Sequence, residues 1–147
     1  MATKTVRQLR EDVTTRMLTL TGWRESRVLP ETFGRDADSI AHKAFVVHPV
    51  TTKDLRLYRG KPAEGTLVET DLEVRFSWRM VPKDMSTSYD DSLDGAQAVV
   101  NLLMVYDATW PSSYKVQVLE TSQAATDTGE WVIGVVAFRV VHNLPLQ

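Results

Sequence analysis

Apolar residues at Val6, Leu9, Val13, Met17 and Leu20, with Arg7, Arg10, Glu11 and Arg16 between them, repeat at the spacing of one helix face. Thr5 and Gln8 have the form of a capping box, and Gly22 stands where a helix stop is expected, so a first helix is predicted over about residues 5–20. Residues 22–41 hold Gly22, Pro30, Gly34 and several charges without sustained periodicity; they predict a long loop with a short strand near Arg27 to Leu29. Connections of that length are often functional. Two extended pieces, Lys43 to Val50 and Asp54 to Tyr58, lead into Arg59-Gly60-Lys61-Pro62-Ala63-Glu64-Gly65, which is turn chemistry. The stretch at about 22–65 is therefore expected to be an extended loop followed by a projecting hairpin arm.

The clearest alternation runs from Leu67 to Val81. Val68, Thr70, Leu72, Val74, Phe76, Trp78 and Met80 share one face of the predicted strand, and Glu69, Asp71, Glu73, Arg75, Ser77 and Arg79 share the other. Pro82 ends it. Ser88, Asp90 and Asp91 then read as the acidic start of a second helix, with apolar positions Leu93, Ala96, Val100, Leu103 and Met104, reaching about Tyr106. Two closing strands, Tyr114 to Thr121 and Glu130 to His142, flank a turn at Asp127-Thr128-Gly129 and predict a hairpin. The last strand is apolar on both faces: Val132, Val136, Phe138 and Val140 on one, Trp131, Ile133, Val135 and Ala137 on the other. Such a strand is buried on both sides or has its second face covered by another subunit. The expected fold is α+β, a mixed and mainly antiparallel sheet of four to five strands with two helices packed on one face, in a single domain over 1–147.

Composition narrows the chemistry. The 147 residues are 43% hydrophobic and 24% charged, enough for one self-sufficient core. Seventeen basic against nineteen acidic residues give a formal charge of -2, without the basic excess of a nucleic-acid binder. The absence of cysteine removes disulfide frameworks, thiolate nucleophiles and the common structural zinc sites. Charges at Lys4, Arg7, Arg10, Glu11, Asp12 and Arg16 interrupt any secretory signal, and the apolar run from Trp131 to Phe138 is far short of the roughly 20 residues of a membrane helix. A soluble protein made in a cytoplasm is expected.

No two of the seven glycines are two apart, so a dinucleotide fingerprint cannot be written; the pairs five apart, Gly60/Gly65 and Gly129/Gly134, are followed by Thr66 and Val135 rather than lysine, so neither is a phosphate loop, and no Gly-x-Ser-x-Gly elbow is present. His42 and His48 would share a face of a regular strand, but a zinc site needs three or four ligands and His142 is the remaining histidine, so structural or surface roles are the expectation. Asp90, Asp91 and Asp94 are accounted for by a helix N-terminus rather than by acid–base chemistry. The charged strand face reads as a solvated sheet face, with an inner wall or a subunit contact as its alternative. Arg56, Tyr58, Arg59 and Lys61 make a small basic group in the arm, best suited to a protein contact. Trp23 and Trp131 read as core or rim aromatics at a subunit boundary.

This layout resembles the tail terminator proteins of long-tailed phages. The likeness rests on Val6-Arg7-Gln8-Leu9-Arg10 opening a helix, a strand ending in Met80-Val81-Pro82, the Asp90-Asp91-Ser92-Leu93-Asp94 segment and the Gly129-Glu130-Trp131 hairpin. Leu72-Glu73-Val74-Arg75-Phe76 followed by Asp91-Ser92-Leu93-Asp94 is similar to that family's central strand and following helix, and Trp131 to Val141 to its closing strand. The resemblance implies a structural, non-enzymatic virion protein without cofactor or metal. It would form a sixfold ring at the head-proximal end of the tail, end growth of the tail-tube protein and meet a head-completion or connector protein. Interface positions would be Trp23, Arg56, Tyr58, Arg59, Lys61, Trp131, Ile133 and Val135. Glu69, Asp71, Glu73, Arg75 and Arg79 would face a lumen through which DNA passes without specific binding. Two alternatives stay open: a head-closure or other neck protein, and a small-molecule-binding α+β domain with a pocket near His42 and His48.

Overall fold

The computed structural model describes residues 3–34, 41–55, 66–111 and 114–145. In chain order they form helix α1 (Val6–Met17), strand β1 (Arg24–Glu25), a 3-10 turn (Pro30–Thr32), β2 (Ala44–Asp54), β3 (Thr66–Arg79), α2 (Met85–Met104), β4 (Lys115–Ala125) and β5 (Trp131–Leu144). The five strands make one sheet in the order β1-β2-β3-β5-β4. Among the described residues only the β1–β2 pair is parallel. The fold is the expected mixed, mainly antiparallel α+β, and β4 and β5 pair as the expected hairpin.

The Thr5 capping box forms in full: Gln8 N–H donates to Thr5 Oγ1 and Thr5 N–H donates to Gln8 Oε1. Other boundaries move. The short strand is at Arg24–Glu25 rather than near Arg27 to Leu29, because its backbone is held against Ala44 and Phe45, while Pro30 at the start of the following 3-10 turn favours a bend. The first extended piece runs on as one strand to Asp54, with a bulge between Pro49 and Thr51, and most of the second piece, residues 56–58, lies outside the described residues.

One buried cluster joins Leu9, Val13 and Met17 of α1 and Ala96, Val99 and Leu103 of α2 to Phe45, Val47, Leu72, Val74, Phe76, Val136, Phe138 and Val140. The strand register places these sheet residues on a single face. Phe76 lies opposite Gly134, where a Cβ would penetrate its ring; glycine here is a packing requirement.

The buried face of α2 differs from the expected one. Ser88, Ser92, Gly95, Ala96, Val99 and Leu103 are buried, whereas Leu93 and Met104 are exposed and Val100 is half-buried. The cause is Trp78: a Cβ on Gly95 would lie 2.8 Å from its Cζ3, so only small residues fit over the indole. The helix also begins at Met85, more than a turn before Asp90, and no acidic residue stands in its first turn. The helix-dipole account of Asp90, Asp91 and Asp94 therefore fails.

Arg16 ties the helices together. Its side chain is buried, with relative exposure of 7% for the residue. Nη2 donates to the carbonyls of Leu102 (2.9 Å) and Val105 (2.7 Å) at the C-terminal end of α2, and Nη1 donates to Asp107 at 2.9 Å. The guanidinium also lies 5.7 Å from the Trp110 ring centroid, and the Trp110 indole N–H donates to Leu103 O. Arg16→Ala leaves two helix-end carbonyls without their donor and opens a void against Trp110. It should lower the unfolding free energy by about 2–4 kcal/mol in urea titrations. A loss near zero would mean that water replaces the guanidinium at no cost.

Candidate functional site

The outer face of the sheet is charged and largely self-neutralised. Arg139 on β5 pairs with Asp71 at 2.8 Å and with Glu69 at 2.9 Å, and Arg75 pairs with Glu73 at 2.9 Å while Nη1 donates to Pro30 O. Glu69, Asp71, Glu73 and Arg75 are half-buried in these contacts, and Arg79 is exposed at the end of β3. The Asp71 hydrogen bond holds the Arg139 guanidinium above its usual pKa, with the Asp71 and Glu69 charges adding to it against a lowering by burial. Ser77, expected on the same polar face, is fully buried, because the 41–44 turn folds over it and accepts its hydroxyl hydrogen bond at Ala41 O.

The second apolar face of β5 is partly covered by the chain itself. Ile133 packs against the cluster of Phe33, Ala44 and Val46, as do Val28 and Ala41, while Trp131 and Val135 beside it are half-buried. The described part of the segment read from sequence as a long loop thus covers one end of the sheet through Val28, Phe33 and Ala41. Trp23 is corrected from an interface position to a core one: it is buried, 5.3 Å from Phe76 and 6.1 Å from Trp78 between ring centroids. Arg56, Tyr58, Arg59 and Lys61 lie outside the described residues.

The histidines separate. His42 precedes β2, His48 stands across from Glu73, and His142 is buried beside Thr70. No group of three or more His, Cys, Asp or Glu suited to a metal exists among the described residues. His142 Nε2 and Thr70 Oγ1 are 2.7 Å apart, and Thr70 Oγ1 is 3.1 Å from that of Thr52.

His42 does line a recess. The cavity, about 440 Å³ and open to solvent, is bounded by His42, Lys43, Trp78, Arg79, Val81, Ser88 and Asp91. His42 stands edge-on to Trp78 with centroids 4.8 Å apart, and its Nδ1 accepts the Arg79 backbone N–H at 3.1 Å. That bond places the proton of the neutral ring on Nε2. Burial lowers the His42 pKa, and Lys43, Arg79 and Arg24 lower it further. The Lys43 ammonium lies 5.5 Å from the Trp78 centroid, and Lys43 has φ 58, the one non-glycine residue with positive φ among those described. Its N–H donates to Ser77 O at 2.9 Å and its carbonyl accepts from Arg24 N–H at 3.0 Å, so neighbouring strands impose the conformation. Sequence reasoning missed Lys43 and Trp78 as a pair, because a left-handed lysine has no sequence signature.

A second feature adjoins this recess on α2. Met85, Tyr89, Leu93 and Met104 are exposed and, with half-buried Val100, fall within about 100° of one another around the helix axis. Asp90 and Asp94 are exposed on the helix and Asp91 lines the recess. No helix among the described residues is long and apolar enough to cross a membrane. No family model matches the chain, and no curated protein matches it.

Burial keeps the His142 pKa below its ordinary value of 6.5, against smaller upward pulls from backbone groups of Lys4 and Asn143. The unfolded chain therefore binds more protons in the window below 6.5. Stability is fully present above that value and falls as pH drops through the depressed native pKa, by at most about 1.4 kcal/mol per pH unit for one proton. His42, lowered in the same direction, adds to the effect. Urea midpoints should fall between pH 7.5 and pH 5.5, and His142→Gln should flatten that dependence; an unchanged slope in the variant would remove His142 from the account.

Proposed function

We propose that this chain is a structural virion protein that forms a ring at the head-proximal end of a phage tail. In that role it ends polymerisation of the tail-tube protein and presents the surface that a head-completion or connector protein meets. The observation that carries the reading is the pair of open sheet edges on opposite sides of the subunit. β4 forms one edge, and β2 beyond Phe45 forms the other among the described residues. Surfaces on opposite sides suit head-to-tail contacts that close into a ring. The exposed apolar stripe of α2 adds area for such contacts.

Each edge strand carries a bulge, between Pro49 and Thr51 in β2 and between Val118 and Glu120 in β4. Bulges and proline oppose continuous strand addition, so neighbours would dock through side chains more than through backbone pairing. Trp131 and Val135 supply half-buried apolar surface for this, and Arg56, Tyr58, Arg59 and Lys61 are assigned to the same role in the segment between β2 and β3. In this reading the subunit has no catalytic, cofactor or membrane role, is made in the host cytoplasm and acts in the virion. DNA passes its lumen without specific binding. The open recess beside His42 is the observation favouring a small-molecule-binding domain instead.

Native mass spectrometry over a concentration series, alone and mixed with tail-tube protein, tests the ring. A sixfold species in either condition is expected, and deletion of Arg59 to Glu64 should weaken it. A strict monomer that ignores tube protein yet binds filled heads would transfer the reading to a head-closure or other neck protein. A monomer that binds neither would leave the ligand-binding domain.

A further inference from the structure

We propose that the recess bounded by His42, Lys43, Trp78, Arg79 and Asp91 is a docking site for a partner polypeptide, taking one carboxylate side chain flanked by apolar residues. The proposal does not depend on the ring. Its first support is the strained cation. An L-residue in the left-handed region is disfavoured relative to glycine, and here a lysine holds that conformation, clamped by Ser77 and Arg24. Its ammonium lies 5.5 Å from the Trp78 ring centroid. Among the described residues no carboxylate stands at ion-pair distance from Lys43, Arg79 or Arg24. Within the described residues, Lys43 and Arg79 at the recess are therefore left to a negative group that no described side chain supplies.

The second support is a donor of fixed direction. With Nδ1 engaged by the Arg79 backbone, neutral His42 offers Nε2–H, and a carboxylate accepts both from it and from the ammonium. The indole and the exposed Val81 supply apolar surface for neighbouring side chains of the same segment. The Ser88 hydroxyl is already engaged, accepting from Val81 N–H and donating to Asp84 O, so it shapes the wall and is not counted as a ligand group.

Asp91 determines the class of partner. It stands in the wall of the recess, with Asp90 and Asp94 on the same helix. A phosphate chain would bring several negative charges towards these acids, whereas a single carboxylate bordered by leucine or valine brings one. A peptide of low charge density fits where a nucleic acid does not.

The test is an NMR titration of the full chain, following the Trp78 indole N–H and the His42 ring. The probes are acetyl-Ala-Leu-Glu-Leu-Ala-amide, its Gln counterpart and inorganic phosphate. Saturable shifts with the Glu peptide are expected, with affinity at least about tenfold weaker for the Gln peptide. Lys43→Gly keeps the backbone conformation and removes the ammonium. It should weaken the Glu peptide by about tenfold or more while its amide spectrum and melting temperature show a folded protein. Arg79→Gln, on an exposed side chain, should weaken the peptide in the same sense. Equal affinity for the Glu and Gln peptides, or an unchanged Lys43→Gly, would overturn the proposal. Phosphate binding as tightly as the Glu peptide would reduce the recess to a plain anion site, and no saturable shift up to about 5 mM peptide would remove it.

Discussion

The guanidinium of Arg16 closes a gap that the backbone cannot close alone. An α-helix leaves its last carbonyls without intrahelical donors, and α2 has no basic residue in its final turn to meet them. The donor comes from α1, a different element more than eighty residues away in sequence, and reaches Leu102 and Val105. The same group meets Asp107, whose carboxyl the Thr109 hydroxyl and then Arg16 hold well below the usual carboxylate range. Asp107 in turn accepts from the N–H groups of Thr109 and Trp110, which sets Trp110 against Leu103 and Tyr114. Helix pairing, the turn out of α2 and the entry to β4 are therefore one hydrogen-bonded unit.

Close approach has a different consequence on the other half of α2. The Trp78 indole lies so close to Gly95 that a Cβ there would clash, and the buried side of this half of the helix is serine, glycine and alanine. Larger apolar residues are displaced to a flank where this chain does not cover them. The same indole supports His42 and Lys43 on its remaining edge. Core packing at one tryptophan thus generates both an exposed apolar stripe and a cationic recess.

Much of the fold was legible because its elements are long and regular. The fourteen residues of β3 alternate cleanly from Val68 to Phe76, and the hairpin of β4 and β5 is bracketed by turn chemistry. The reading failed where a tertiary contact overrode local pattern. Arg16 falls seven residues after Leu9, hence on the apolar face of α1, and that position was the available signal that it is buried. On α2, Ser88, Ser92, Gly95 and Val99 form a small-residue face at helical spacing, legible only once the facing tryptophan is known. Asp90, Asp91 and Asp94 suggested a helix start because acids favour N-termini, yet the chain enters the helix directly after the turn that follows Pro82. There Asp84 N–H bonds Val81 O and Ser88 Oγ accepts from Val81 N–H. For the recess, the deciding fact is a lysine backbone angle, which composition does not encode.

The outer sheet face bears on how a ring built from this subunit would treat DNA. Glu69, Asp71 and Glu73 suggest a repulsive wall when read as a strand alone. In the sheet, Arg139 from the neighbouring strand is shared by Glu69 and Asp71, and Arg75 from the same strand pairs with Glu73, so two of the three negative charges are offset at ion-pair distance. Half-buried pairs present short-range dipoles rather than a field of one sign, and salt screens what remains within about 8–10 Å. If this face lines the channel, passage of DNA rests on the pairing of Arg75 and Arg139 with these acids more than on repulsion by them, and Arg79 is the exposed cation left at the strand end. Arg75 and Arg139 would then be held by their acids against the phosphates, and replacing Asp71 or Glu69 by an amide would release a cation into the lumen. Of the two arginines that β3 itself puts on this face, Arg75 is held by Glu73, whereas Arg79 at the strand end is exposed and has no ion-pair partner among the described residues.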